Sequence, residues 1–355
     1  MRKLVIDRAA IKNNLTVIKD RAAGAAIYGV LTGDGQGVGA AALAQLLRDE
    51  GIGRFAVSEV SEAEALRQAG FVDEEILMLR ATTDREELER LVDLNVVCTV
   101  SSVDTGMALN ALAGNRSTVA EAHIQVDTGM GFGGFLVSEP EKLLLAYRSM
   151  PNVALSGVYT QLHAARPNDP QAKRQLEQFQ LALDAIHQAG FETGVVHAAG
   201  SFALLHGLAP ELDGVRAGSA ILGRCRRTRD DGLKTVGFGQ APLTEVRWLP
   251  KGHVLGVDRP VTLKKPTRVA VLPVGYQNGF GVTRPRETGL LAAIARWRKN
   301  NRRTVRLGSQ RSRVLGGLGA SELILDVTDV KCSVGDLATF EMDPLFARGF
   351  QVEFR

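Results

Sequence analysis

Short apolar runs alternate with amphipathic segments of helical period through about the first 225 residues. The runs are rich in β-branched residues, and each following segment has apolar residues three or four positions apart. This alternation is typical of repeated strand–helix units, which build a parallel sheet. The predicted strands are Ala26–Leu31, Arg54–Val57, Glu75–Leu79, Val96–Val100, Ala122–Val126, Leu155–Tyr159, Thr193–His197 and Ser219–Leu222. Eight strands favour closure into an α/β fold of the (β/α)8 TIM-like barrel type, and an open doubly wound sheet is the alternative.

The pattern changes near Asp230, where alternating apolar and polar residues are separated by turns that contain proline, glycine and lysine. Runs such as Arg268–Pro273 and Leu323–Val327 predict antiparallel strands. We therefore expect a barrel domain over residues 1–228 and a mainly β C-terminal domain over residues 229–355.

Charge is balanced over most of the chain and basic in one stretch. The net charge is only +4, with 43 Lys and Arg against 39 Asp and Glu, so no polyanion-binding field covers the whole protein. The basic excess lies in an insertion at 289–313, which begins with the predicted helix Gly289–Asn300. A solvated helix and turn is the favoured interpretation, nucleic-acid binding is disfavoured, and docking on a partner subunit is a further alternative. The anchors for such docking would be Leu290, Leu291, Ile294 and Trp297.

The three cysteines have no CxxC spacing, which disfavours a disulfide framework or a structural zinc site and favours a reducing compartment. No run of about 18 apolar residues occurs, and the first residues lack the apolar core of a signal peptide. We expect a cytoplasmic protein that does not enter a membrane. No metal site is expected either, because His123, His187, His206 and His253 are scattered without ligand spacing.

Two glycine-rich loops follow predicted strands, where a barrel places its ligand-contacting groups. The first, Tyr28–Gly39, opens a helix, so its backbone amides can approach an anion, although a tight strand-to-helix turn explains the glycines equally well. The second, Val126–Phe135, combines the carboxylate of Asp127 with a flexible backbone.

Two further segments carry the residue types of a phosphate site. His197–Ser201 ends in a hydroxyl, and Gly214–Ser219 places Arg216 just before the last predicted strand. A hydroxyl, backbone amides and a nearby helix N-terminus suit a dianion at this end of a barrel. The alternative for Arg216 is a salt bridge at the surface or between domains.

In this order, the four segments resemble the alanine-racemase family of enzymes that use pyridoxal 5′-phosphate (PLP). The segment Val269–Phe280 adds a likeness to that family's Ala-x-x-Pro-x-Gly-Tyr-x-Asp-Gly motif, and the resemblance runs over nearly the whole chain. The resemblance implies a barrel followed by a β domain, and amino-acid racemisation (an isomerase activity) by a dimer.

The resemblance fails at the residue that would bind the cofactor covalently. The family's first glycine segment contains a lysine that forms an imine with PLP, and Thr32 stands at that position, with Gln36 at the position of a tyrosine. A hydroxyl can neither form an imine nor exchange a proton near neutral pH. The matched residue therefore predicts loss of both functions.

Other positions depart from the family as well. Phe132 stands where the family usually has an arginine, and Gln161 stands where a histidine packs near the cofactor ring, although His163 lies two positions beyond it. The family's second acid–base group is a tyrosine from the partner subunit, and the matching stretch, Leu255–Arg259, contains none.

Several positions that the family uses to hold PLP are retained. Ser201, Gly218 and Ser219 match the phosphate-binding residues, and Arg216 matches the residue that hydrogen-bonds the pyridine nitrogen. Tyr276 matches a tyrosine that lines the entrance across the dimer interface. The resemblance thus implies that PLP, if it binds, is held only non-covalently.

Three hypotheses follow. The first is a non-catalytic relative of alanine racemase, a homodimer or a subunit of a heterodimer with an active paralogue. The second is an enzyme of altered chemistry that binds PLP or another small phosphate- or carboxylate-bearing ligand, with Asp34, Asp127, His163 and Tyr276 as candidate acid–base groups. The third is an amino-acid (alanine) racemase, which would need a lysine from outside the matched position.

Overall fold

The computed structural model describes residues 1–163, 169–208, 212–225, 231–256, 260–282 and 303–355. The chain forms two compact units, Ala9–Thr235 and Met1–Arg8 together with Val236–Arg355. The predicted helix Gly289–Asn300 and its apolar anchors lie outside the described residues. No helix within the described ranges has the length and apolar character needed to cross a bilayer.

The first unit is built on a parallel sheet. Its strands are β2 (Ala26–Val30), β3 (Arg54–Val57), β4 (Glu75–Met78), β5 (Cys98–Val100), β6 (Ala120–Asp127), β7 (Phe135–Leu136), β8 (Val153–Tyr159), β9 (Val195–Gly200) and β10 (Gly214–Ala217). The sheet order is β4-β3-β2-β10-β9-β8-β6-β5, with the short β7 paired to β6. Backbone bonds from Met78 N to Val97 O (2.9 Å) and from Val97 N to Ile76 O (2.8 Å) join β4 to the residue before β5. The sheet therefore curls into the predicted eight-stranded barrel.

Amphipathic helices connect the barrel strands. They are α1 (Arg8–Ala22), α3 (Ala40–Asp49), α4 (Val60–Gln68), α5 (Arg85–Asp93), α6 (Val103–Asn115), α7 (Pro140–Ser149), α8 (Pro170–Gln188) and α9 (Ser201–Leu205), and α2 (Thr32–Gly37) is an irregular turn. α5 illustrates how these sequences specify a helix. Its N-cap Asp84 accepts from the backbone N of Glu87, and Leu88 and Leu91, three positions apart, bury one face.

The predicted strands match the structure closely except for the last. Ser219–Leu222 is a buried turn, in which Ile221 N donates to Gly218 O, and the final barrel strand is Gly214–Ala217. A short apolar run can be buried in a turn as well as in a strand, so its composition alone does not determine which of the two it forms. As a result Arg216 lies within the strand, not before it.

The second unit is mainly β, as predicted. Its strands are β1 (Lys3–Ile6), β11 (Phe238–Pro242), β12 (Glu245–Leu249), β13 (Val254–Leu255), β14 (Val261–Thr262), β15 (Thr267–Leu272), β16 (Thr304–Leu307), β17 (Gln310–Leu315), β18 (Leu323–Asp326), β19 (Leu337–Glu341) and β20 (Gln351–Phe354). β1 pairs antiparallel with β11 and parallel with β20, so the start of the chain belongs to this sheet. β16, β17 and β18 form an antiparallel meander.

Candidate functional site

The ends of four barrel strands meet at one edge of the first unit. A Cβ added at Gly218, after β10, would lie 3.1 Å from Cβ of Val30 at the end of β2. A Cβ added at Gly200, the last residue of β9, would lie 3.5 Å from Nε2 of Gln161, just after β8. Parallel strands present their carboxyl ends on one side, which is where barrels bind ligands.

Ser201 links the loops after β9 and β10. Its side-chain oxygen accepts from the backbone N of Gly218 (3.0 Å) and from the backbone N of Ala220 (3.2 Å). Ser201 is only 9% exposed, so no bulk water replaces these bonds. Both amides are therefore used by the Ser201 oxygen, which keeps its own hydroxyl proton as a donor for a phosphate oxygen.

Arg216 is buried inside the barrel. Its Nη2 donates to Thr160 O (2.7 Å) and to Gln161 Oε1 (3.0 Å), and its Nη1 lies 2.6 Å from Nδ1 of His197. The guanidinium also lies over the ring of Tyr159, 5.1 Å from its centre. Burial lowers the pKa of Arg216 to about 10, which still leaves it charged at neutral pH. The alternative of a surface or interdomain salt bridge is therefore wrong.

The donors of Arg216 determine the protonation of two buried histidines. A guanidinium only donates, so Nδ1 of His197 must accept, and its Nε2 must carry the proton. That nitrogen lies 3.0 Å from Nδ1 of His123, which must therefore accept in turn. Both imidazoles are neutral in this chain of bonds. Burial, reinforced by the charge of Arg216, lowers the pKa of His123 to about 4 and that of His197 well below its usual range.

Aromatic rings hold His197 in place. Tyr28 stacks on the imidazole with 5.1 Å between ring centres, and Tyr159 stacks on it with 5.0 Å. The hydroxyl of Tyr159 lies 3.0 Å from that of Thr99, which donates to Met78 O. His123 is therefore not an isolated residue, as its position in the sequence suggested, but lies beside His197.

The loop after β2 contains one turn of left-handed backbone. Gly33, Asp34, Gly35 and Gln36 have φ values of 68, 52, 63 and 58°. Left-handed geometry costs each L-residue about 1–2 kcal/mol, so it occurs mostly at single residues. The side chain of Gln36 folds back and donates from Nε2 to both the carbonyl and the hydroxyl of Thr32, each at 3.0 Å.

Glu62 in α4 fastens this turn to the loop after β3. Its Oε1 accepts from Gly33 N (2.6 Å) and Asp34 N (3.3 Å), and its Oε2 accepts from Ser58 N (2.9 Å) and Glu59 N (3.2 Å). One carboxylate therefore supplies an acceptor for four backbone amides. Nothing in the sequence pattern identified Glu62 beyond its place at the start of a helix.

The candidate carboxylates are occupied by backbone donors. Asp34 Oδ1 accepts from Ala40 N (2.8 Å), at the start of α3. Asp127 Oδ1 accepts from the backbone N of Gly129 (2.8 Å) and of Met130 (2.9 Å), and both its oxygens contact the amide of Gly131. These bonds shape loops and leave each carboxylate less available for proton transfer.

The other two candidates are more exposed. The side chain of His163 is 45% exposed, and its Nδ1 lies 3.4 Å from the largely buried Oδ2 of Asp169. Tyr276 begins a short 3-10 helix in the second unit and is 49% exposed. Ser219 is half-buried and lies between Gly218 and Ala220, whose backbone amides donate to the Ser201 side chain. No cluster of metal-ligating side chains occurs among the described residues.

Comparison with known proteins identifies the family. The family model for the N-terminal domain of alanine racemase matches residues 6–225, and the model for its C-terminal domain matches residues 239–343. The chain belongs to the alanine racemase family. The resemblance found in the sequence is thus confirmed, together with the fold that it implied, and this family depends on PLP.

Relatives match across most of the alanine racemase chain. The alanine racemase of Desulfosudis oleivorans is 30% identical over 290 residues, covering 78% of this chain and 74% of that protein. The alanine racemase of Geobacter sp. strain M21 is 26% identical over 345 residues, covering 94% and 86%.

Solved alanine racemase structures share the fold. The enzyme of Clostridium difficile 630 superposes with a TM-score of 0.86 at 21% identity, covering 100% of this chain and 95% of that one. The Bartonella henselae enzyme, with covalently bound pyridoxal phosphate, gives a TM-score of 0.84 at 20% identity, covering 100% and 99%.

Proposed function

We propose that this member of the alanine racemase family binds PLP, or a closely related phosphate-bearing ligand, without a covalent bond, and that it does not racemise amino acids through a lysine imine. This proposal rests on the identity of residue 32, in the loop after the first barrel strand. There, Thr32 offers a hydroxyl that is held by Gln36, and a hydroxyl cannot form an imine.

The lysines of the barrel unit support the same conclusion. Lys12 and Lys19 lie on α1, where both ammonium groups pair with Glu50. Lys142 pairs with Glu139 at the start of α7. The remaining two, Lys173 in α8 and Lys234 near the end of the unit, are exposed. Within the described part of this unit, no lysine lies in a barrel strand or directly after one.

The phosphate end of PLP fits the residues that are present. The Ser201 oxygen accepts from the amides of Gly218 and Ala220, which leaves its hydroxyl proton free to be donated to a phosphate oxygen. Arg216 would donate to an acceptor on the ring. The imidazole of His197, which accepts from Arg216, is neutral, so the positive charge stays on the guanidinium. PLP acts as an electron sink once it is joined to an amine. Thr32, which stands at the position of the family's lysine, provides no amine.

The test compares PLP with pyridoxine 5′-phosphate, which has the same ring and phosphate but no aldehyde. Isothermal titration of the purified full chain measures both affinities, with inorganic phosphate as a third probe. We expect PLP and pyridoxine 5′-phosphate to bind within about threefold of each other, because neither forms a covalent bond. A preference for PLP of 100-fold or more, about 2.8 kcal/mol, would indicate an imine.

Borohydride reduction and peptide mapping complete the experiment. We expect only scattered, substoichiometric labelling of exposed lysines. One lysine labelled stoichiometrically, together with alanine racemisation, would restore the racemase hypothesis. Co-purification with a lysine-containing paralogue, and racemisation only by that mixture, would favour the heterodimer hypothesis. Failure of all three probes to bind would eliminate the proposed ligand class.

A further inference from the structure

Gln175 is a buried polar residue on α8 that the sequence analysis did not identify. It is only 1% exposed, although it lies on a helix outside the barrel strands. A buried amide must have its donors and acceptor satisfied, because each unpaired group costs about 1–3 kcal/mol. Its neighbours are therefore informative about why a glutamine is present.

The amide of Gln175 joins the loops after β6 and β8. Its Oε1 accepts from the backbone N of His163 (2.6 Å), and its Nε2 donates to the carbonyl of Gln161 (3.1 Å) and to the hydroxyl of Thr128 (3.3 Å). That hydroxyl lies 2.8 Å from the hydroxyl of Thr160. Both the oxygen and the nitrogen of the side-chain amide are thus hydrogen-bonded, and their partners lie in the loops after β6 and β8.

Two of the acceptors of Arg216 are held in this way. Thr160 accepts from Nη2 through its carbonyl, and Gln161 accepts from Nη2 through its side chain. Arg216 is 4% exposed and has no carboxylate partner among the described residues, so neutral acceptors alone fix its orientation. Displacement of residues 160–161 would leave Nη2 with only the longer bond to Ala198 O (3.4 Å), while His197 would still hold Nη1.

We propose that Gln175 is a positioning residue that fixes the direction of Arg216 by holding Thr160 and Gln161 in place. This inference rests on the proposed function, because its effect on binding appears only with a ligand whose ring reaches Arg216. It predicts a separation between two parts of the ligand. The ring end depends on Gln175, whereas the phosphate end depends on Ser201, which Gln175 does not contact.

The test substitutes Gln175→Met, which keeps the length of the side chain and removes its hydrogen bonds. We expect the affinity for pyridoxine 5′-phosphate to fall about tenfold, as for a weakened bond to a charged group, with inorganic phosphate affinity within about twofold of wild type. Gln180→Met is the matched control, because that glutamine lies on the same helix and, in the described part of the chain, its side chain pairs only with Asp184 at the surface (2.8 Å). The control is expected to bind both probes as wild type does.

Thr128→Val is the second variant, in case Gln175→Met does not fold. Valine is nearly isosteric with threonine and lacks the hydroxyl that lies between Gln175 and Thr160. We expect a smaller loss of affinity for pyridoxine 5′-phosphate, again with little change for inorganic phosphate. Equal loss of phosphate and pyridoxine 5′-phosphate binding would show a merely structural role, and unchanged binding in both variants would also overturn the inference.

A ligand-free measurement keeps this inference separate from the proposed function. In protein labelled with ¹⁵N-arginine, the guanidinium resonance of buried Arg216 is assigned with an Arg216→Lys variant. We expect Gln175→Met to broaden or shift this resonance, whereas Gln180→Met leaves it unchanged. If no probe binds wild type, the proposed function fails, and an unperturbed resonance in Gln175→Met then refutes the positioning role independently.

Discussion

Ser201→Ala is expected to destabilise the barrel unit measurably. Among the residues that the structure describes, Ser201 is the only acceptor of the amides of Gly218 and Ala220, and the substitution leaves both amides in a site that is nearly closed to solvent. Each unsatisfied buried N–H costs about 1–3 kcal/mol, so the two together set an expected loss of about 2–6 kcal/mol. For a unit of this size, even the lower limit lowers the melting temperature by roughly 4–8 °C.

Two spectroscopic signals separate the units in the assay. Every described α-helix lies almost entirely within Ala9–Thr235, so far-ultraviolet circular dichroism reports mainly on the barrel. Neither tryptophan, Trp248 nor Trp297, belongs to the barrel sequence Ala9–Thr235, so their fluorescence serves as an internal control. We expect urea to unfold the barrel of Ser201→Ala earlier, with Ser201→Thr closer to wild type because it retains a hydroxyl.

Phosphate provides a further check on the same amides. An anion that takes the two free N–H groups stabilises the folded protein as the ratio of its concentration to its Kd rises. Inorganic phosphate should therefore recover part of the stability lost in Ser201→Ala. A loss below about 0.5 kcal/mol, in the range of ordinary surface substitutions, would refute this account of the Ser201 site.

Three other outcomes are expected. Thr32→Lys should allow borohydride to fix PLP at residue 32 without rapid alanine racemisation, because Gln36 still replaces the family's tyrosine; rapid turnover would contradict this. Glu62→Gln should lose about 0.5–1.5 kcal/mol, because only one end of the new amide can accept and the exposed or half-buried amides that it releases can bond to water. Amide hydrogen exchange should become faster at Gly33 and Asp34 or at Ser58 and Glu59. Stability should fall by about 3 kcal/mol from His123 alone as pH falls from 6.5 towards 4, because the unfolded state takes up a proton that the folded histidine excludes. His123→Phe should make that dependence shallower in denaturation titrations and leave the contribution of His197, whose pKa is also lowered, and an unchanged slope would disprove the assignment.

Periodicity was sufficient for the architecture, because each buried strand and each amphipathic helix follows a local pattern. It failed at Ser219–Leu222, where burial produced an apolar run without a strand. The side-chain network was beyond local reasoning for a different reason. His123 and His197 are 74 positions apart and meet only because their side chains, on β6 and β9, both point into the barrel interior. Gln175 likewise looks like an ordinary helix residue until its loop partners are known.

The handedness of the turn at residues 33–36 reverses the usual rules of substitution there. Alanine, the best residue in an ordinary helix, would be a poor replacement for Gly33, where asparagine is better tolerated. At Gly35 every side chain is disfavoured, because its Cβ would lie 2.9 Å from backbone atoms of Ala40. A D-amino acid at Gly33 would adopt the required dihedral angles without strain and would restrict the unfolded chain. At Gly33 the stereochemistry of the residue therefore decides which sequences can form this turn, whereas at Gly35 the nearby backbone of Ala40 also limits the size of the residue.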